Sequence, residues 1–249
     1  MTSAARSPIR TDLPDFVENL DTWSIPGKQI RSNEALRFDA THYDREASLA
    51  VQALEQSGFE LKPLSDLAEV KLPGQFTRIW ADGPRHGYRY VNASELTNIA
   101  GLGAFDEKPR YLSRLTKTKL DNLIIHEGWI LVTCSGTIGR VLYVTKRFDG
   151  WAATHDLIRV IPNSSNQTGY LHTYLSSPIA RAQILGHTHG GQIDHITHHQ
   201  LKTILVPMIP DDEITRIHES TMTALNARDN AVADLMALAG YIDKKFKKK

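Results

Sequence analysis

Cysteine is nearly absent from this chain of 249 residues: Cys134 is the one example. That excludes an intramolecular disulfide framework and a cysteine-rich zinc site. No apolar run approaches the roughly 20 residues that a membrane-spanning helix needs. Met1 to Arg10 is polar and lacks the apolar stretch of a secretory signal. These absences predict a cytosolic protein without membrane contact. The chain also lacks a Walker-type phosphate loop, a Rossmann glycine pattern, the Asn/Asp-Pro-Pro-aromatic motif of amino-methyltransferases and any internal repeat. No cofactor is implied. A strong charge of either sign is missing too, since the formal net charge is +1.

What is present is an ordinary globular balance, 41% hydrophobic and 23% charged, over a length that suits one sizeable domain with an appended element. The charge is unevenly distributed. Lys71 to Lys119 holds nine basic residues against four acidic ones, and Lys108 to Lys119 holds five basic residues and no acid. Such a stretch can form a phosphate-binding face, or simply a solvated surface.

Periodicity divides the chain. Met1 to about Asn33 has scattered Pro, Gly and Ser and reads as an irregular arm. Asp44 to Gln56 is predicted helical, with Leu49, Ala50, Ala53 and Leu54 on one stripe and Gly58 as its stop. From Leu61 onward short strands are expected: around Leu64, Leu67 and Val70 before the Pro73-Gly74 turn, at Arg89–Val91, at Trp129–Thr133, at Val141–Val144 and at Leu157–Ile161. Two helices follow, Gly169–Leu175 and Pro178–Leu185, then a Gly- and His-rich loop and a last strand, Ile204–Met208. Beyond Pro210, residues Ile214, Ile217, Thr221, Leu225, Val232, Leu235, Ala239, Ile242 and Phe246 keep a three–four spacing. A helix from Asp211 to Phe246 would be about 54 Å long, too long to pack on a small domain without projecting. Its stripe is expected to pair with another helix, as in coiled coils.

Three enzyme patterns need weighing. Asp66, Glu69 and Lys71 form a D-x-x-E-x-K string, but a metal-dependent nuclease needs them to converge on one site. Read as one strand, alternation sends Asp66 to the face opposite Glu69. His187, His189, His195, His198 and His199 crowd into thirteen residues without a familiar zinc spacing, so no metal site is assigned. Ser135 lacks the glycine two residues before it that a nucleophile elbow requires. The same loop suits binding better. Ser135, Gly136, Thr137, Gly139 and Arg140 make a small-residue turn whose N–H groups, hydroxyls and guanidinium can approach phosphates.

Several segments together resemble the specificity subunits of type I restriction–modification enzymes. They are Arg37–Asp44, Lys62–Val70, Gly128–Val132 with Ser135–Gly139, His155–Arg159, Tyr170–Pro178, and Gly191–Ile196 followed by Leu201-Lys202 and Val206-Pro207. Their order and spacing, from about residue 37 to 210, carry the resemblance. It implies an α/β (α+β) target-recognition domain with a curved mixed or antiparallel sheet and small helices, followed by a long coiled-coil-type helix. The corresponding division is an irregular arm at 1–36, a DNA-binding domain at 37–210 and a helical arm at 211–249. Full-length subunits usually carry two such units and this chain carries one, which leaves open a half-subunit that dimerises, a fragment, or a single-domain relative with a different partner.

The implied function is sequence-specific recognition of double-stranded DNA without catalysis. The chain would direct a DNA methyltransferase subunit, with a restriction nuclease subunit as a further candidate. Two associations are open for the C-terminal helix: a homodimer through that helix, which would restore the two-domain layout, or docking on the methyltransferase as a single copy. The residues expected to touch DNA are Gln75, Thr77, Arg78, Arg85, Arg110, Ser135, Thr137, Arg140 and Gln192. Arginine and glutamine can read bases, while hydroxyls and other cations hold phosphates. A nuclease built on Asp66, Glu69 and Lys71, and an interaction scaffold that never meets DNA, remain the alternative classes.

Overall fold

A computed structural model describes Gly27 and residues 45–95, 109–187 and 195–246. The chain divides into two units, Met1–Phe38 and Asp39–Lys249, and the architecture below is that of the second. The expected irregular arm, apart from Gly27, and the Arg37–Asp44 segment lie outside the described residues, as do Asn98–Ala104 and Gly191–Asp194.

The fold is α+β. Helix α1 (Arg45–Gln56) buries Ala50 and Leu54, while Leu49 of the expected stripe stays exposed. Strand β1 (Glu60–Pro63) leads into a single helical turn, α2 (Leu64–Leu67), and then β2 (Ala68–Lys71). The expected strand over Leu64 and Leu67 is therefore a turn of helix. Leu64 plugs the core there, fully buried, with its N–H bonded to the Ile204 carbonyl at 2.9 Å. Strands β3 (Trp80–Ala81), β4 (Gly87–Val91) and β5 (Arg110–Ser113) follow, then β6 (Ile130–Thr133), β7 (Val141–Tyr143), β8 (Ala152–Ala153) and β9 (Leu157–Pro162).

Helices α3 (Thr168–Leu175), α4 (Pro178–Gly186) and α5 (His198–Lys202) precede β10 (Leu205–Met208) and the long α6 (Asp211–Phe246). Helix α4 starts on Ser177, whose hydroxyl accepts from the Ala180 N–H, with Pro178 in the first turn where its missing N–H costs nothing. Helix α5 was expected to be loop. Thr197 and Gln200 form a capping box that starts it.

Two four-stranded sheets carry the domain. One has the order β2-β9-β6-β7 and the other β3-β5-β4-β8, with β1 and β10 forming a separate pair. All pairings are antiparallel except β4 with β8. The alternation of β6 explains the layering. Ile130 and Val132 belong to the main core with Tyr170, Leu171 and Leu175 of α3 and Ile184 of α4. Leu131 belongs to a second core with Val91 and Ala153 of the other sheet. The β2-β9-β6-β7 sheet is thus covered by helices on one face and by the second sheet on the other.

Helix α6 does not leave the domain at once. Ile214, Leu225 and Val232 are buried by the rest of the chain, and Gly169 on α3 makes the approach possible. A Cβ there would sit 2.7 Å from the His218 carbonyl oxygen, and the Gly169 N–H donates to His218 Nδ1 at 3.0 Å. The expected helix partner for the first part of the stripe is thus α3 of the same domain. Towards the end of α6, Leu238, Tyr241, Ile242 and Phe246 are exposed. Among the described residues no helix is long and apolar enough to cross a membrane.

Candidate nucleic-acid interface

The turn between β6 and β7 is built by its own sequence. Gly136 and Gly139 have φ of 70° and 75°, the left-handed region that favours glycine. Thr133 closes the turn from beneath: its carbonyl accepts the Gly139 N–H at 3.0 Å, its hydroxyl accepts the Arg140 N–H at 3.0 Å, and that hydroxyl donates to the Thr137 carbonyl. On the other side Cys134 accepts the Ile196 N–H at 3.1 Å, and Ser135 bridges to His195. The result is a hydrogen-bonded platform that leaves Gly136, Thr137 and Arg140 exposed.

Opposite this platform lies the β3-β5-β4 edge. Tyr90 and Arg110 are register partners on β4 and β5, and Trp80 packs edge-on against Tyr90 at 5.3 Å. The platform and this edge enclose an open cleft of about 600 Å³. Its walls include Arg78, Trp80, Tyr90, Asn92, Ser94 and Arg110 from one side, and Ser135, Thr137, Arg140 and Asp156 from the other.

The three arginines of the cleft differ in restraint. Arg78 donates from Nε to the Tyr90 hydroxyl at 2.8 Å and from Nη2 to the Thr154 hydroxyl at 3.4 Å. Thr154 in turn donates to Asp156 at 3.1 Å. Arg110 lies over the Trp80 ring, 5.1 Å from its centre, and pairs with Glu95. Arg140 is exposed, and its side chain makes no ion pair among the described residues.

Five expected DNA-binding residues, Arg78, Arg110, Ser135, Thr137 and Arg140, therefore line one cleft. Arg85 lines a neighbouring hollow of about 390 Å³ with Trp80, His86 and Arg114. Gln75 and Thr77 are exposed on the connection before β3, and Gln192 lies outside the described residues. Trp80, Tyr90, Asn92, Ser94 and Asp156 were not anticipated. A signal for the aromatic ones existed in the interleaving of cations and rings, Arg78-Ile79-Trp80 and Tyr88-Arg89-Tyr90, a pattern suited to nucleic-acid surfaces. In the structure Arg114 lies 4.3 Å from the Tyr88 ring centre and Arg89 lies 4.0 Å from that of Trp151.

Behind the cleft sits Arg159, fully buried on β9, donating to the carbonyls of Ala153, Thr154, Leu157 and Leu123. Burial lowers its pKa to about 10. The nearby Cys134 thiol is pushed up to about 11, first by burial and then by Asp156, so it stays protonated and unreactive at neutral pH.

The nuclease string does not assemble. Asp66 is on α2, not on a strand as expected, and bonds to Ser65. Glu69 and Lys71, on β2, pair with each other at 3.4 Å. Among the described residues no three His, Cys, Asp or Glu side chains are grouped to hold a metal ion. His198 and His199 lie with ring centres 4.0 Å apart on α5, tilted by 38°, His187 lies 3.4 Å from the Thr203 hydroxyl, and His189 lies outside the described residues.

Residues 56–232 match the family model of the type I restriction modification DNA specificity domain. The chain belongs to that family. Among solved structures, this specificity-domain chain is similar to the HsdS subunit from Thermoanaerobacter tengcongensis, at 17% identity over 88% of this chain and 54% of that one, with a TM-score of 0.45. It is similar to the type I S subunit from M. genitalium, at 15% identity over 66% and 38%, with a TM-score of 0.43. It is also similar to the type IIG restriction endonuclease BpuSI, at 10% identity over 79% and 30%, with a TM-score of 0.52. The specificity-domain chain thus spans about half or less of the solved structures it matches. None of the curated proteins compared matches it.

Proposed function

We propose that this chain reads a specific sequence of duplex DNA through the cleft between the β6–β7 turn and the β3-β5-β4 edge, and that it presents that site to a DNA methyltransferase subunit. It performs no chemistry itself and works in the cytoplasm. The observation that carries this reading is the convergence of Arg78, Arg110, Arg140, Ser135 and Thr137 on one cleft, in a chain of the specificity family. Hydroxyls on a hydrogen-bonded turn beside a free guanidinium suit phosphate oxygens, and a restrained guanidinium with an open donor edge suits base edges. Gln75, Thr77 and Arg85 extend the proposed contact beyond the cleft, and Gln192 is proposed as a further contact.

The exposed end of α6 suits a second copy of this chain, giving a two-fold dimer with one recognition domain at each end. Such a dimer reads a symmetric, split site. The same helix would dock the methyltransferase, and a restriction nuclease subunit would join through that complex.

Selection of bound duplexes from a randomised pool, using the purified full chain, tests the reading. The expected result is a short consensus in two inverted halves separated by a fixed spacer. Recovery of sequences with no consensus would overturn it.

A further inference from the structure

Of the three arginines in the cleft, one is held as a reader and the others are not. Arg78 already spends Nε and Nη2 on Tyr90 and Thr154. Arg140 is exposed and unrestrained, as suits a contact to a phosphate. Arg110 is held from two sides: its guanidinium lies over Trp80 at 5.1 Å and near Tyr90 at 5.9 Å, and Nη2 is paired with Glu95.

Glu95 is itself fixed. Its second carboxylate oxygen accepts the Asn92 N–H at 3.0 Å, while the Asn92 side chain accepts the Glu95 N–H at 2.8 Å. This reciprocal pair caps the helical turn that begins at Ala93. A main-chain cap thus aims a carboxylate, and the carboxylate aims a guanidinium. Arg110 keeps Nη1, Nε and the second hydrogen of Nη2 without hydrogen-bond partners among the described residues, so one two-donor edge of the guanidinium stays open, and its side chain is 46% exposed. An acid on a DNA-facing surface repels phosphates, so Glu95 contributes to binding only through the group it orients.

We propose that Arg110 reads a guanine in the major groove, donating to O6 and N7, and that Glu95 and Trp80 are its positioning residues. This rests on the proposal that the chain is a DNA reader, and it assigns to one side chain the discrimination of one base. A fork held between an indole and a carboxylate loses little freedom on meeting the two acceptors of guanine. Lysine would keep the charge and lose the fork. Glutamine at position 95 would keep the cap, since Glu and Gln both serve at that place in a capping box, and would lose the charge that holds Arg110.

The test uses the full chain, the consensus duplex selected by the wild type, and every single-base variant of that duplex. Affinities are measured across a salt series, with thermal melts confirming that each variant folds. In the wild type, replacing one guanine by adenine should weaken binding about tenfold or more. Arg110→Lys should bring guanine and adenine close to equal at that one position, with the salt slope unchanged. Glu95→Gln should lower the preference several-fold at the same position only. Trp80→Leu should do the same.

If Arg110→Lys leaves the preference at every position intact, Arg110 is a phosphate contact and the inference is overturned. If Arg110→Lys acts as stated but Glu95→Gln and Trp80→Leu change nothing, the positioning role is overturned. A wild type that selects no consensus removes the DNA-reading proposal itself, which is a separate outcome.

Discussion

Arg159 donates from Nη1 to the carbonyl of Thr154 at 2.8 Å, and this bond ties the two sheets together directly behind the cleft. Arg159 belongs to β9, and Thr154 follows β8. The remaining bonds go to Ala153, Leu157 and Leu123, all main-chain carbonyls. A fully buried guanidinium whose two Nη groups donate to carbonyls, with Nε left unpartnered, is a structural staple, and its loss leaves carbonyl acceptors short of a donor at about 1–3 kcal/mol each, offset in part by removal of a buried charge. Arg159→Met should therefore lower unfolding stability by about 2–4 kcal/mol. Lysine should not restore it, because one ammonium cannot reach four carbonyls. Denaturant unfolding checks this. A variant as stable as wild type would contradict the staple.

A second expectation concerns acid. His172 on α3 is held neutral by burial first and by the Arg228 charge second, so its pKa falls to about 4 from 6.5. Its ring packs edge-on against Tyr143 at 6.1 Å, and its Nδ1 has no partner. Between pH 6.5 and about 4 the unfolded chain binds a proton that the folded chain refuses. Stability therefore falls as pH drops through that window, by up to about 3 kcal/mol for the shift in this one group. Unfolding of wild type and His172→Gln at pH 7 and pH 5 should show a smaller difference in the variant. Equal differences would remove His172 as the cause.

The long helix yields a third. Ile214, Leu225 and Val232 are core residues, and Thr145 donates to Asp229, whose other oxygen takes the Arg228 guanidinium at 2.8 Å. A chain ending at Pro210 should not fold. A chain ending at Asp234 should keep its fold and lose only the exposed apolar end, which includes Leu238, Ile242 and Phe246. Light scattering over a concentration series should show a dimer for the full chain and a monomer for the shortened one. The same mass for both would exclude self-pairing through this end.

A fourth is catalytic silence. With magnesium and plasmid, the purified chain should neither cut nor methylate. Cleavage abolished by Glu69→Ala would contradict this and promote the nuclease reading.

Much of the fold was legible because its signals are local. The three–four spacing after Pro210 marked α6 with the ends the structure has, and apolar runs marked β6, β7 and β9. The errors share a cause, which is that burial is set by partners far away in the chain. Leu64 to Leu67 reads as strand by composition, yet forms a helical turn because Leu64 plugs the core beside Ile204. The α6 stripe reads as continuous, yet only its first two thirds meet the domain, through Gly169 and α3. In the cleft, Arg78, Arg110 and Arg140 were visible as cations. Trp80 was legible only as a ring interleaved with cations and Glu95 not at all, because their roles depend on a cross-strand contact and a cap that spacing does not encode.

The central claim is sequence discrimination by this chain, and the ratio of its affinities for selected and random duplex tests it most directly. Measured by competition at physiological salt with the purified full chain, the selected site should bind about a thousandfold or more tightly than random DNA. Exchanging Arg140 for alanine should weaken both and lower the salt slope by about one. A ratio near one, with tight binding to every duplex, would make the cleft a general phosphate groove and contradict the account.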